Sequence, residues 1–464
     1  VSELTSLLEL GAPLAAVAGG AAYARHRTPR LYWSAVGLPA ALVRIQSKWD
    51  ETMSACELSV SPSLLKIMAA DRAERSQLPH DVPKLRSIRP STIGVRLRVR
   101  LARGLTTDAV RDASEALRHA WQVNAVYVSE VRPGIVDLHL VGFDVLRRVV
   151  LPSRMASKAA GLLRVPIALR EDGTVFVRDY RTAPHGLALG ATDSGKSMYA
   201  RNLFAGLAGQ PVALAGIDCK RGVEQAPFAS RLSALATEPD AALDLLRVLV
   251  EEEMDHRYDL IRDHLGIPGT VAREDITANI WGLPDDIRPA PLVLVVDEIA
   301  ELFLSANKVE DKRRNETVTL LIRYAQLARA TGMYLEVLGQ RFGAELGKGA
   351  TALRAQLTHR VVHRVNDIET ARMGLGDISE QAMTASTQIP SEQPGTAIAG
   401  DSSGRWSRIR TPYLSLADAS ARCARHAHLV PDLPALDAFR PVPPPVEQSN
   451  AVPLVKPRTV PVTE

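Results

Sequence analysis

Cysteine is scarce in this chain: Cys56, Cys219 and Cys423 are the three among 464 residues, and no two form a CxxC pair. An odd, scattered set excludes a disulfide framework and a zinc ribbon, and fits a reducing interior. His426 and His428 lie close to Cys423, but the second ligand pair that a zinc site requires is missing. Charge of one sign is lacking too, since 56 basic residues face 52 acidic ones for a formal net charge of +4. With 46% apolar and 23% charged residues, the composition excludes disorder as the main state.

Long hydrophobic runs are equally wanting. A spanning helix needs about 20 apolar residues, and the apolar stretch Leu10–Ala24 reaches that length only by taking in Glu9 or its neighbours. Glu3 and Glu9 precede it where a secretory signal would carry basic residues, so a signal peptide is disfavoured. Arg25, His26, Arg27 and Arg30 follow it and would stay in the cytoplasm if it inserted. Leu31–Trp49 is amphipathic, interrupted at Pro39, and carries Trp33 and Trp49 near its ends, as an interfacial helix does. Residues 1–57 thus read either as a membrane-associated segment or as a helix buried in the protein.

What is present divides into parts. A chain of this length exceeds one hydrophobic core, so two or three domains are expected. Residues 58–87 hold prolines and charges and read as a connector. VRLRVRL, Val95–Leu101, alternates apolar residues with arginine and predicts a half-exposed strand. Thr106, Thr107 and Asp108 supply cap chemistry for a following helix, and Ala125–Val131 and Ile135–Val141 predict two further strands. The result is a small α+β domain over 88–152. The arginines Arg96, Arg98, Arg100 and Arg103 permit contact with a polyanion, although a bias of arginine over lysine explains them equally well.

From about residue 160 short apolar runs alternate with helical segments, the pattern of an α/β domain with a parallel sheet. The expected strands are Gly186–Leu189, Pro211–Asp218, Pro291–Val296, Met333–Leu338 and His359–Val365. Thr237 is the expected cap of a long helix reaching Asp263. Residues 266–290 read as a loop or insertion, and the proline-rich sequence after Arg440 as a tail without a core.

Three stretches carry chemistry. Gly190, Ala191, Thr192, Asp193, Ser194, Gly195, Lys196 and Ser197 match the P-loop pattern, led in by an apolar strand and followed by a helical run. In that arrangement backbone N–H groups converge on phosphates at a helix start, Lys196 neutralises the β and γ phosphates of ATP, and Ser197 ligates Mg²⁺. Leu292–Val296 is an apolar strand ending in Asp297 and Glu298, which fit a Mg²⁺-organising acid and a water-polarising base. Met333–Gly339 leads to Gln340, placed to sense the γ phosphate or the attacking water; a buried structural glutamine is the alternative.

These stretches resemble the FtsK/SpoIIIE family of DNA translocases. PHGLALGATDSGKS is similar to its P-loop stretch, PLVLVVDEIAELF to its acidic motif, and IRYAQLARATGMYLEVLGQR to its glutamine motif. AGIDCKRGVE, with Asp218 and Lys220, resembles the family's strand-plus-DxK segment, and THRVVHRVNDIETARMGLGD the segment after the glutamine. The likeness covers about 160–415, and LARGLT and RPGIVDLHL resemble the domain that precedes the motor.

The resemblance implies a RecA-like ATPase preceded by a small α+β domain, using ATP and Mg²⁺ and assembling as a hexameric ring around double-stranded DNA. It implies an arginine supplied by the neighbouring subunit, with Arg329, Arg360 and Arg372 as candidates and Arg329 the expected one. Asp193 stands where the family has glycine, and Gly339 and Phe342 replace the threonine and proline around Gln340 and Arg341. The multi-span region and winged-helix reader of the chromosome-segregating members are not matched, so loading through that reader is not expected. The chain is most similar to transfer proteins of actinomycete conjugative elements. The expectation is a cytoplasmic motor, attached to the inner face of the cell membrane if residues 1–57 are membrane-associated, that moves DNA between cells. A chromosome-partition motor and a membrane-linked DNA-binding scaffold with a degenerate ATP site are the alternatives. Residues 416–464 are expected to be a helical stretch and tail.

Overall fold

The computed structural model describes residues 23, 25, 27–61, 80–264, 277–343, 346–347, 349–401 and 403–442. It divides into two units. The first takes the chain up to Ala156 together with Ala168–Phe176 and Ser407–Pro412; the second takes Ser157–Ile167, Val177–Trp406 and the chain from Tyr413.

The first unit is built on an antiparallel sheet of β1 (Lys84–Pro90), β2 (Gly94–Arg100), β3 (Ala125–Arg132) and β4 (Ile135–Val141), in the order β1-β2-β4-β3. The alternation in VRLRVRL sends Val95, Leu97 and Val99 into the core and the intervening arginines to the other face. Helices Thr107–Asp112 and Ser114–Trp121 lie between β2 and β3 in sequence, and the Thr106 side chain caps the first by accepting from the Ala109 N–H.

The segment before this sheet departs from the expected boundaries. β1 begins inside the span read as a connector, and Trp33, Ile45, Trp49, Met53 and Leu58 share one buried cluster with Val95, Leu97 and Trp121. Trp49 stacks on Trp121 at 5.8 Å and donates its indole N–H to Pro83 O at 2.7 Å. The amphipathic face of Leu38–Ser47 and Trp49–Ala55 therefore covers the sheet, which corrects the interfacial-helix option for this part of residues 1–57. Residues 1–22, with most of the apolar Leu10–Ala24 stretch, lie outside the described residues. Among the described residues no helix is long and apolar enough to cross a membrane.

β5 (Arg164–Arg170) and β6 (Val175–Asp179) follow. The second unit then contains β7 (His185–Leu189), β8 (Ala213–Ile217), β9 (Ala234–Ala236), β10 (Leu292–Val296), β11 (Met333–Gly339), β12 (His359–His363) and β13 (Thr396–Gly400). Their order is β13-β12-β7-β11-β10-β8-β9, parallel throughout except for the antiparallel β12–β13 pair. Burial on both faces explains the wholly apolar β8 and β10, and β7 is apolar after His185. Within the first unit β14 (Trp406–Arg410) pairs antiparallel with β5 through Ile409↔Arg170 and Arg410↔Leu169.

Two local expectations need correction. Glu238, not Thr237, precedes the helix Pro239–Arg247, which starts at a proline whose fixed φ suits that position. The helix then widens into a looser turn over Val248–Glu253 before Met254–His264. Much of the 266–290 loop and most of the proline-rich tail fall outside the described residues. Leu433 and Leu436, ahead of that tail, pack into the core of the second unit.

Candidate active site

In a parallel sheet, residues just past the strands' carboxyl ends share one edge. β7 ends at Leu189 and passes through Gly190–Gly195 into the helix Lys196–Leu207. The loop is pinned to its neighbours: Gly190 N donates to Gly339 O at 3.2 Å, Ala191 N to Arg364 O at 3.0 Å, and Gly395 N to Ser194 O at 2.9 Å. Gly195 has φ +103°, and a Cβ there would lie 2.1 Å from Gly395 N, so both conformation and space demand glycine. Asp193 also takes a positive φ, +59°, a region aspartate tolerates better than most residues. Its side chain is exposed, as is that of Thr192.

The loop has the features of a phosphate cradle. Ser194 is 3% exposed, and its hydroxyl has no hydrogen-bond partner in the structure. The first amides of a twelve-residue helix open onto the same place. His363 packs beneath the loop, its Cβ 2.7 Å from where a Cβ on Gly190 would stand. Burial, with the nearby Lys196 charge, lowers its pKa to about 4, so it is neutral at physiological pH.

β10 brings Asp297 and Glu298 to the same edge, 4% and 7% exposed. The Lys196 ammonium donates to Glu298 Oε2 at 3.1 Å. Lys220, following β8, donates to Asp297 Oδ2 at 3.2 Å and stands 3.7 Å from Glu298 Oε2. Gln340, following β11, donates its backbone N–H to Glu298 Oε1 at 3.1 Å. Burial works against the Lys220 charge, yet Asp297 and Glu298 outweigh it and hold its pKa above the ordinary lysine value. Asp218 is buried beside them and accepts from the N–H groups of Lys220, Glu224 and Gln225 at 3.2, 2.9 and 3.1 Å. Burial and the Asp297 charge raise its pKa against those three donors.

The structure thus gathers Lys196, Asp297, Glu298 and Gln340 around the loop, with Ser197 half-buried on the first helical turn. A cleft of about 580 Å³ opens here, lined among others by Thr192, Lys220, Glu298, Gln340 and Arg341. Among the described residues no cluster of three or more His, Cys, Asp or Glu could hold a metal ion by itself. The Ser197 hydroxyl and the Asp297 carboxylate are hard oxygen donors, suited to Mg²⁺ shared with nucleotide phosphates rather than caged by protein.

The arginines are distributed differently. Arg329 is exposed in the turn before β11, at the opposite end of that strand from Gln340. Arg360 is buried and donates to Arg354 O at 2.7 Å and Met373 O at 3.5 Å; burial lowers its pKa to about 10. Arg372 is exposed and pairs with Glu369 at 2.6 Å. Lys220 lies closer to the paired acids than any of the three, and motif spacing alone gave it no role. Its signal was the acid two positions earlier at a strand end. The Arg341–Asp367 pair, 3.1 Å, also borders the cleft.

Residues 21–142 match the actinomycete conjugal transfer protein N-terminal domain, and residues 153–344 match the FtsK/SpoIIIE family. The chain is 49% identical over 421 residues to the transfer protein TraSA of Streptomyces ambofaciens, covering 91% of this chain and 100% of that protein. It is 56% identical over 284 residues to a sporulation regulatory protein of Streptomyces azureus, covering 61% of this chain and 89% of the relative. Over 257 residues it is 26% identical to the DNA translocase FtsK of Helicobacter pylori, of which it spans 28%.

Proposed function

Because the chain belongs to the FtsK/SpoIIIE family of P-loop ATPases, with the N-terminal domain of actinomycete conjugal transfer proteins, we propose that it is an ATP-driven translocase of double-stranded DNA acting in conjugation. The observation that carries this reading is the convergence of Lys196, Asp297, Glu298 and Gln340 on one sheet edge beside the P-loop.

In this reading the loop amides of Gly190–Gly195 and the Lys196 ammonium bind the ATP phosphates. Ser197 and Asp297 hold Mg²⁺, which supplies charge neutralisation at the phosphates when bound. Glu298 polarises the attacking water, and Gln340 orients it from the end of β11. Arg329 lies too far along its own strand to enter this cleft, so its proposed role is in trans: Arg329 of the partner subunit completes the site in a hexameric ring. The motor works in the cytoplasm, with contact to the inner face of the cell membrane through residues before Arg25.

The scaffold alternative drew its support from Asp193. That side chain is exposed, so water around it weakens its repulsion of bound phosphate and the support is weak. A chromosome-partition role differs in its deletion phenotype, which would be missegregation rather than lost transfer.

The test is the ATPase rate of the full chain with and without duplex DNA at two salt concentrations, beside Lys196→Ala. Stimulation by duplex that weakens with salt and is absent from the variant is expected. Turnover indifferent to DNA, or equal in the variant, would overturn the proposal.

A further inference from the structure

The face of the β1–β4 sheet turned away from the helices carries an unusual set of charges. The register places Arg89 directly opposite Arg96 and Lys84 directly opposite Arg100. Between these pairs, Arg98 stands opposite Ser87 on one side and Asp137 on the other. Directly opposed residues on one face have their Cβ atoms about 5 Å apart, and like charges so placed destabilise a sheet. Two such pairs in one hairpin are a standing stability penalty that the fold itself does not require.

Local pairing does not relieve them. Asp137 is the one carboxylate of the central strands on this face, and it is taken by Arg98 through bonds of 2.8 and 3.0 Å. That bond, against the effect of burial, and the charges of Arg98, Arg96 and Arg89 hold the Asp137 carboxyl below its usual pKa. Glu171 and Asp172 lie at the other corner, beside Tyr127 and His139 on β3 and β4, which leaves the β1–β2 half cationic. Lys84, Arg89, Arg96 and Arg100 are exposed and form no ion pair among the described residues.

We infer that this face binds the phosphate backbone of duplex DNA, with Lys84, Arg89, Arg96 and Arg100 as its contacts. A polyanion converts each repulsive pair into a two-point phosphate contact, and the planar guanidinium suits that contact better than an ammonium does. A flat row of cations without a reading helix contacts backbone rather than base edges, so binding is independent of sequence. The inference rests on the proposed function, since a chain that moves duplex DNA presents this face with that polyanion; an anionic membrane is the competing occupant.

The experiment compares the full chain with an Arg89→Gln/Arg96→Gln/Arg100→Gln variant, using a random-sequence 30-base-pair duplex and, separately, vesicles of phosphatidylglycerol and phosphatidylcholine. Removing like-charge pairs should leave the thermal midpoint equal or higher and the DNA-free ATPase unchanged. The slope of log affinity against log salt should shrink by about 2 to 3, near 0.9 per lost phosphate contact, with at least about a tenfold loss of duplex affinity at physiological salt. A Lys48→Gln/Arg111→Gln control removes two cations from the helical side and should leave the slope in place. An unchanged slope in the triple variant, an equal loss in the control, or a loss seen with vesicles and not with duplex would each overturn the inference. If wild type still shows duplex-stimulated turnover, only this inference has failed; if wild type ignores duplex altogether, the proposed function falls with it.

Discussion

The ammonium of Lys196 and the carboxylate of Glu298 meet at 3.1 Å, across the sheet edge from the first turn of one helix to the end of β10. The proposed phosphate-binding cation and the proposed base therefore neutralise one another, while the Gln340 N–H holds the second carboxylate oxygen. Glu298→Gln keeps the shape and an acceptor for that N–H but loses the basicity. It also relieves Lys196 of a competing anion. Turnover should fall at least about 100-fold, the scale of lost general-base catalysis, with nucleotide affinity equal or higher. Single-turnover hydrolysis together with titration of a fluorescent nucleotide separates the two effects, and a variant that hydrolyses normally would remove Glu298 from the role.

Lys220 is placed to matter as much, because its ammonium lies within 4 Å of both Asp297 and Glu298, at 3.2 and 3.7 Å. Its raised pKa keeps it charged throughout any practical assay range. Without it, Asp218, whose pKa burial and the Asp297 charge already raise, stands beside the paired acids with one counter-charge fewer, which favours its protonated form. Lys220→Ala should lower kcat about tenfold or more and move the acid limb of the pH–rate profile to higher pH. Lys220→Arg should restore the limb's position better than it restores the rate. A profile unmoved in the alanine variant would show that Lys220 does not tune the acids.

Asp193 invites the opposite substitution. Its carboxylate is exposed and its backbone sits at φ +59°, where glycine carries no steric penalty. Asp193→Gly removes a screened negative charge near the proposed phosphate site and should tighten nucleotide binding by less than about tenfold, the gain shrinking as salt rises. Turnover at saturating nucleotide should be unchanged. A gain of a hundredfold or more would mean that the carboxylate faces the phosphates after all.

The parts of the fold that were legible in the sequence are those where burial leaves no choice. Leu292–Val296 and Ala213–Ile217 are apolar on both faces because parallel central strands are covered on both sides, and the P-loop declares itself through Gly195 and Lys196. Two strands escaped: Thr396–Gly400 is buried almost throughout but built of small residues, and Trp406–Arg410 is half-buried without a clear alternation. Leu31–Trp49 was ambiguous for a different reason, since an amphipathic helix with tryptophans suits a membrane interface and a sheet face equally, and only the partner surface decides. At the site, the acids and Lys196 could be found from strand ends, whereas the Gln340 N–H bond to Glu298 uses a backbone group that has no signature in residue type.

Behind the P-loop helix lies a fully buried ion pair whose worth can be measured. Arg178 and Glu336 are each 0% exposed, joined from Arg178 Nε to Glu336 Oε2 at 2.8 Å. Tyr199, on the helix, donates its hydroxyl to Glu336 Oε1 at 3.1 Å, and the guanidinium stacks over Tyr180 at 3.8 Å. Gly186 makes room, since a Cβ there would come within 2.5 Å of Glu336 Oε2. Glu336→Ala strands the Arg178 charge in the core and should destabilise the unit by about 3 to 5 kcal/mol, whereas Tyr199→Phe should lose about 1 kcal/mol. Desolvation of the intact pair offsets much of its attraction, so Arg178→Met/Glu336→Leu should recover most of the loss in urea unfolding. A double variant no more stable than Glu336→Ala would mean that the stranded charge is not the cause, and that shape around Gly186 is.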